Sequence, residues 1–114
     1  MANPNLLNLT SIVASTARNI ISTSNITIMT TGSNELRKLV SLYVTNVTTS
    51  TVTFSVWTGS SARYIAKDMD LPPDSTLQLI SKDAPIYLIE TVPLLAVASA
   101  SNSIHVHVGY ETMS

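Results

Sequence analysis

Two histidines near the C-terminal end of the chain have the residue type and spacing of a possible chemical site. The stretch "SIHVHVGYE", residues 103–111, places His105 and His107 two positions apart in an apolar run. If this run is a strand, both imidazoles project from one face, about 6.5–7 Å apart along the strand. Two imidazoles so placed can bind a zinc ion, whose nitrogen ligands lie at about 2.0–2.1 Å.

A zinc site at these histidines needs a third ligand, and the sequence offers few. The chain contains no cysteine and no other histidine, so only carboxylates remain, such as Glu111 on the same face or Glu90 from another strand. We therefore interpret the pair as side chains on the outer face of a strand, exposed or at an interface. The sequence predicts no catalytic residue, no metal and no cofactor. A metal-dependent enzyme centred on His105 and His107 is the alternative, and metal analysis of the purified protein would distinguish the two.

Three aspartates surround a Pro-Pro pair and form the second cluster of possible metal ligands. Asp68, Asp70 and Asp74 suggest calcium by their spacing, but the glycine and the closing glutamate of the calcium-loop pattern are missing. We expect instead that the side chains of Asp74 and Ser75 cap a turn, and a weak calcium site is the alternative. Three glycines in the whole chain also leave no glycine-rich phosphate loop.

The size and the charge of the chain exclude several classes of function. With 114 residues it can form one domain with a single core. Six Lys or Arg and seven Asp or Glu give a net charge of -1 and no basic stripe, so a nucleic-acid partner is not expected. There is no run of about 18 apolar residues that could span a membrane. The first residues lack the pattern of a signal peptide, so we expect synthesis in a cytoplasm.

The composition points to an assembly. Charged residues make up 11% of the chain, against about 25% in typical domains, while 45% of the residues are apolar. Ser, Thr and Asn provide most of the polar surface. A small domain of this composition has more apolar surface than its own core can bury, and we expect part of that surface to contact other protein.

Alternating apolar and polar residues predict β-strands throughout the chain. In "TVTFSVW", Val52, Phe54 and Val56 face inward and Trp57 faces outward. In the final strand, Ile104 and every second residue after it share the inner face. The short segment "NVTTS" predicts an antiparallel hairpin between the strands at 40–47 and 51–57. Turn signals at intervals of roughly 8–12 residues, without a helical pattern, predict an all-β fold: an antiparallel, jelly-roll-like β-sandwich of about eight strands.

The first residues differ from the rest and predict an extended N-terminal arm. We divide the chain into an arm or edge segment at 1–22 and a β-sandwich domain at 23–114, with short edge strands possible at "SIVAS" or "RNIIS". A frayed terminus is the alternative, since chain ends are often poorly ordered. The arm is favoured because a free tail seldom carries so many apolar residues. These are Leu6, Leu7, Leu9, Ile12 and Val13.

The region from about residue 24 to 113 resembles small virion proteins of tailed bacteriophages, notably marine and cyanobacterial phages. The resemblance lies in "SLYVTNVTTSTVTFSVW", in the "YIAK" strand with its "PPDSTL" turn, in "PIYLIE", and in a final strand closing with Gly-Tyr-Glu. It covers about four fifths of the chain, and its motifs are structural. The segment "ETVPLL" departs from the pattern, because an acidic residue and a glycine are expected before that strand.

The resemblance implies a non-enzymatic structural protein similar to head decoration or cement proteins. Its partners would be the major capsid protein or another virion protein, and further copies of itself as a homotrimer, with the virion as its location. To the apolar residues of the arm we add Trp57, an outward aromatic residue, as a candidate interface residue. Tyr43 and Arg63 are weaker candidates of the same kind. For Trp57, an equally weighted alternative is that another part of this chain covers its side chain. A tail, neck or baseplate component and a carbohydrate-binding surface domain are the alternative functions.

Overall fold

The computed structural model describes residues 12–59, 61–81, 83 and 85–114, and these form nine β-strands without a helix. Branched Val, Ile and Thr side chains in alternation with polar residues favour this pleated backbone. The strands are β1 (Ile12–Ile21), β2 (Ile26–Thr30), β3 (Leu36–Asn46), β4 (Val52–Thr58), β5 (Arg63–Leu71), β6 (Thr76–Ile80), β7 (Ile86–Leu88), β8 (Pro93–Ala98) and β9 (Ile104–Met113).

The strands form two antiparallel sheets that pack face to face. The first sheet has the order β1-β9-β3-β6, with the short β7 also beside β3, and the second has the order β2-β8-β4-β5. The chain passes from one sheet to the other after β1, β2, β3, β5, β7 and β8. This order is the one that defines a jelly roll. The predicted all-β sandwich is confirmed, with β7 as a ninth strand.

The predicted hairpin between β3 and β4 is wrong, because these two strands belong to different sheets. β3 pairs with β6, β7 and β9, whereas β4 pairs with β5 and β8. The buried Asn46 holds the corner between them. Its Nδ2 donates to the Ser50 carbonyl at 2.8 Å and the Leu71 carbonyl at 2.9 Å, and its Oδ1 accepts from the Thr48 N–H at 2.9 Å.

The core lies between the sheets and contains the residues that the alternation predicts. Phe54 and Val56 of β4 face Val106 and Val108 of β9, and all four are buried. Alternation in "VSLYVTNV" predicts that Val40 faces inward with Leu42 and Val44. Leu42 and Val44 are buried, but the buried position that precedes them is Leu39, because the pairing register with β9 shifts between Leu39 and Ser41. Such a bulge moves the neighbouring side chains by one position.

The segment predicted as an arm contains a full strand of the sandwich. Residues 12–21 form β1, which pairs with β9 over ten residue pairs without a register shift. The sequence interpretation of two short edge strands is replaced by one continuous strand. The remainder of the predicted arm, including Leu6, Leu7 and Leu9, lies outside the described residues. Within the described part of the chain, no helix is long and apolar enough to cross a membrane.

Candidate functional site

The two histidines project from the outer face of the first sheet. β9 alternates between buried and exposed residues from Ile104 to Val108, so Val106 is buried between the exposed His105 and His107. Their neighbours across the strands are Arg18 and Tyr43 beside His107, and Ile20 and Thr45 beside His105. These neighbours supply a cation, a phenol, an apolar chain and a hydroxyl, none of which is a preferred zinc ligand.

The two proposed third ligands lie elsewhere. Glu111 sits four residues beyond His107 on β9, which corresponds to about 13 Å along a strand. Glu90 accepts a hydrogen bond from the Asn34 N–H at 2.8 Å. Among the described residues, no three His, Asp or Glu side chains come together as a metal-binding group. The geometry therefore gives the histidines no third protein ligand in this part of the chain.

Two of the aspartates around the Pro-Pro pair lie where the chain is irregular, Asp68 at a bulge and Asp74 in a turn. The Asp68 N–H donates to Ser55 Oγ at 2.9 Å, and Asp68 adopts a positive φ of 49° beside the irregular pairing of β4 with β5. At the turn, Ser75 Oγ donates to the Pro72 carbonyl at 2.6 Å, and Asp74 has a φ of 53°. These contacts are those of a structural turn.

β1 forms an edge of the first sheet, and we call its unpaired side the β1 edge. No described strand pairs with this side, so alternate backbone N–H and C=O groups face outward. From Ile12 to Thr16 the residues are exposed on both faces of the strand. Ile12 is 59% exposed and Val13 is 53% exposed.

Among the described residues, the β1 edge has fewer of the features that protect the other sheet edges. Natural edge strands are usually shortened, bulged or charged, which prevents another strand from pairing with them. β2 and β6 have five residues each and β7 has three, and β2 also has a register shift. β5 is longer, but it carries four charged residues and its pairing is irregular. β1 has ten residues, one charge at Arg18 and no register shift.

The described residues that the sequence predicts at an interface lie on both sheets. Ile12 and Val13 lie on the β1 edge, and Tyr43 is exposed on the outer face of the same sheet. Arg63 is exposed at the start of β5, on the other sheet. Trp57 is only 7% exposed, and its ring contacts that of Tyr64 with centroids 5.8 Å apart. Trp57 is therefore covered by the chain itself, which is the alternative that the sequence left open.

An open cleft at one end of the sandwich was not predicted from the sequence. It has a volume of about 720 Å³ and lies between the β4–β5 loop and the β7–β8 loop. Arg63 and the exposed side chains of Tyr87 and Ile89 line it. Alternation in "PIYLIE" indicates an outward Tyr87, but only the sheet topology brings it close to the β4–β5 loop.

Comparison with known proteins identifies a likeness of fold. No protein-family model matches the chain, and no curated protein matches it. Among solved structures, the chain is similar to one from Bacillus endospore appendages, which form a family of disulfide-linked pili. The TM-score is 0.56 and the sequence identity is 11%, and the match covers 94% of this chain and 90% of that chain. At this identity the likeness supports the β-sandwich fold.

Proposed function

We propose that this protein is a non-enzymatic structural subunit that joins a many-copy assembly through the β1 edge. The observation that carries the proposal is the exposed state of this edge: ten regular residues, one charge, and apolar side chains exposed on both faces. A strand from a neighbouring subunit would satisfy its outward backbone groups and bury Ile12 and Val13. This mode of recognition is strand addition.

The surface composition supports an assembly role. With 11% charged residues, the chain has little of the charge repulsion that keeps small proteins apart. A subunit that binds only the assembled particle stabilises that particle by its free energy of binding. Symmetric repetition makes contacts of modest affinity add up over many copies.

We further propose that the assembly is the head of a tailed bacteriophage, where the protein acts as a decoration or cement protein. The support is the resemblance of residues 24–113 to small virion proteins of such phages. The partners would be the major capsid protein and further copies of this chain, arranged as a homotrimer. A tail, neck or baseplate position is the alternative within the same virion.

The pilus-forming chain of similar fold suggests a fibre as a different assembly. Disulfide links of the kind named for those pili are not available here, because the 114 residues contain no cysteine. A fibre of this chain would depend on strand addition alone. Filaments of the purified protein in negative-stain images would favour the fibre over a shell-binding subunit.

The proposal is tested by binding of the purified chain to phage heads that lack it. A variant without residues 1–14 loses Ile12–Ala14 of β1 and keeps the pairing of residues 15–21 with β9. We expect the variant to fold, as judged by its circular dichroism and cooperative unfolding, and to lose co-sedimentation with heads. If the folded variant still decorates heads as the full chain does, the arm hypothesis is wrong and Ile12–Ala14 of the β1 edge are not needed for binding.

A further inference from the structure

The cleft at the end of the sandwich has a framework of backbone hydrogen bonds. The Gly59 N–H donates to the Pro93 carbonyl at 3.0 Å and connects the β4–β5 loop to the start of β8. Thr31, which is almost fully buried, fixes the β7–β8 loop. Its N–H donates to the Val92 carbonyl at 3.2 Å, its carbonyl accepts from the Thr91 N–H at 3.1 Å, and its hydroxyl donates to the Leu88 carbonyl at 3.3 Å. These bonds connect the two loops that form the walls of the cleft to the rest of the sandwich.

One residue at the cleft, Thr91, adopts a backbone conformation that is rare for its residue type. Thr91 has a φ of 65°, which is rare for a β-branched residue, and Gly59 has a φ of 78°. Glycine adopts a positive φ without strain, so only Thr91 is strained, and strained residues are often found at ligand-binding positions. Thr91 and Gly59 both line the cleft.

The chemistry of the lining combines a cation, an aromatic ring and hydroxyl groups. Arg63 is exposed, and its Nη1 donates to the Ser61 carbonyl at 3.2 Å, which orients the guanidinium. No described carboxylate lies within ion-pair distance of Arg63, and no acidic residue lines the cleft. Tyr87 is 46% exposed. Hydroxyl-bearing residues complete the lining: Thr58, Ser61 and Thr91.

We propose that this cleft binds an acidic saccharide. A guanidinium binds a carboxylate through paired, charge-assisted hydrogen bonds. The exposed face of Tyr87 can stack on the apolar C–H face of a sugar ring, and the threonine and serine hydroxyls can bond its hydroxyls. The volume of about 720 Å³ lies within the range of small-molecule sites. The site is separate from the β1 edge, and the inference does not depend on the proposed assembly.

Titration with a defined oligogalacturonate and its methyl ester tests the charge requirement. The ester has the same rings and size but no carboxylates. We expect the acid to shift the amide resonances of Gly59, Arg63 and Thr91 in heteronuclear spectra of the full chain, and the ester to bind about tenfold more weakly. Sialyllactose serves as a second acidic sugar. If neither acidic sugar binds at millimolar concentration, or if the shifts map to Arg18 and His107, the proposal is overturned.

Two variants with a matched control assign the roles of the side chains. R63Q should weaken oligogalacturonate binding about tenfold and leave binding of the ester unchanged, because it removes only the charge-assisted bonds. Y87A should weaken both. Y43A, which removes another exposed tyrosine on the other sheet, should change neither. Equal binding of an oligoglutamate peptide, or an equal effect of Y43A and Y87A, would contradict a saccharide site.

Discussion

At the scale of single residues, Asn46 fixes the path of the chain between the two sheets. Its side chain bonds two carbonyl groups from different segments, Ser50 and Leu71, and accepts from both the N–H and the hydroxyl of Thr48. Asn46 is fully buried. A buried polar group without partners is costly, so this corner is stable only when all of these bonds form together.

Replacing Asn46 by alanine is expected to destabilise the protein strongly. N46A would leave the Leu71 carbonyl and the Thr48 N–H without their partner, which should lower the free energy of unfolding by about 2–4 kcal/mol. Urea denaturation followed by tryptophan fluorescence measures this. N19A is the control, because the amide of Asn19 accepts a single bond from the Ile20 N–H. If the two variants lose the same small amount, Asn46 does not hold the corner.

Gly109 and Ser41 form a second residue-scale feature, at the bulge of β3. The Gly109 N–H donates to Ser41 Oγ at 3.2 Å, and a Cβ at position 109 would lie 2.7 Å from the same oxygen. The Ser41 hydroxyl thus accepts a hydrogen bond from the Gly109 N–H beside the register shift. It also occupies the space that a side chain at position 109 would need.

A double-mutant cycle tests this contact. G109A should lower the free energy of unfolding by about 1–2 kcal/mol through steric overlap. In an S41A background the oxygen is absent, so the added methyl group should cost less than about 0.5 kcal/mol, which gives a measurable coupling. Equal costs of G109A in both backgrounds would show that the serine hydroxyl does not limit the space.

At the scale of strands, alternation predicted orientation better than it predicted pairing. The predicted inward positions Val52, Phe54 and Val56 of β4, and Ile104, Val106 and Val108 of β9, are confirmed as buried. On β4, Ser55 and Trp57 are buried as well, so alternation does not describe the whole strand. On β3 the bulge moved the buried position from Val40 to Leu39, and nothing in the local sequence indicates the bulge. The hairpin prediction failed because a short polar segment can either turn within one sheet or cross to the other. The hydrogen bond from the Asn46 side chain to the Leu71 carbonyl, 25 residues away, is formed where the chain crosses between the sheets.

A lysine on the β1 edge should block its association. Lysine on an exposed edge opposes strand addition, because a paired neighbour would have to desolvate the charge. We expect the wild-type chain to self-associate with rising concentration in sedimentation velocity experiments, and V13K to remain monomeric.

V47K is the matched control for this prediction. Val47 is a valine of similar exposure, 44%, at the β3–β4 corner and away from the β1 edge. V47K should associate as the wild type does. A wild-type chain that stays monomeric at all concentrations, or equal effects of the two lysines, would rule out self-association through β1.

At the scale of the whole molecule, the low charge and the strand spacing indicated an all-β fold with surplus apolar surface. The structure has that fold, and several large apolar side chains are exposed, including Ile12, Val13 and Ile89. The cleft could not be predicted, because its walls come from loops about 30 residues apart that meet only when the jelly roll closes. The contact of Trp57 with Tyr64 could not be predicted either, because it forms only when β4 pairs with β5.

The measurement that tests the central claim most directly is the number of copies of this protein in each purified virion, relative to the major capsid protein. Quantitative mass spectrometry of labelled peptides provides it. A shell-wide structural subunit predicts a ratio near one to one, or one trimer at each local threefold axis. A handful of copies would contradict the decoration role and place the protein at the neck, the tail or a vertex. Absence from particles would contradict the virion proposal itself.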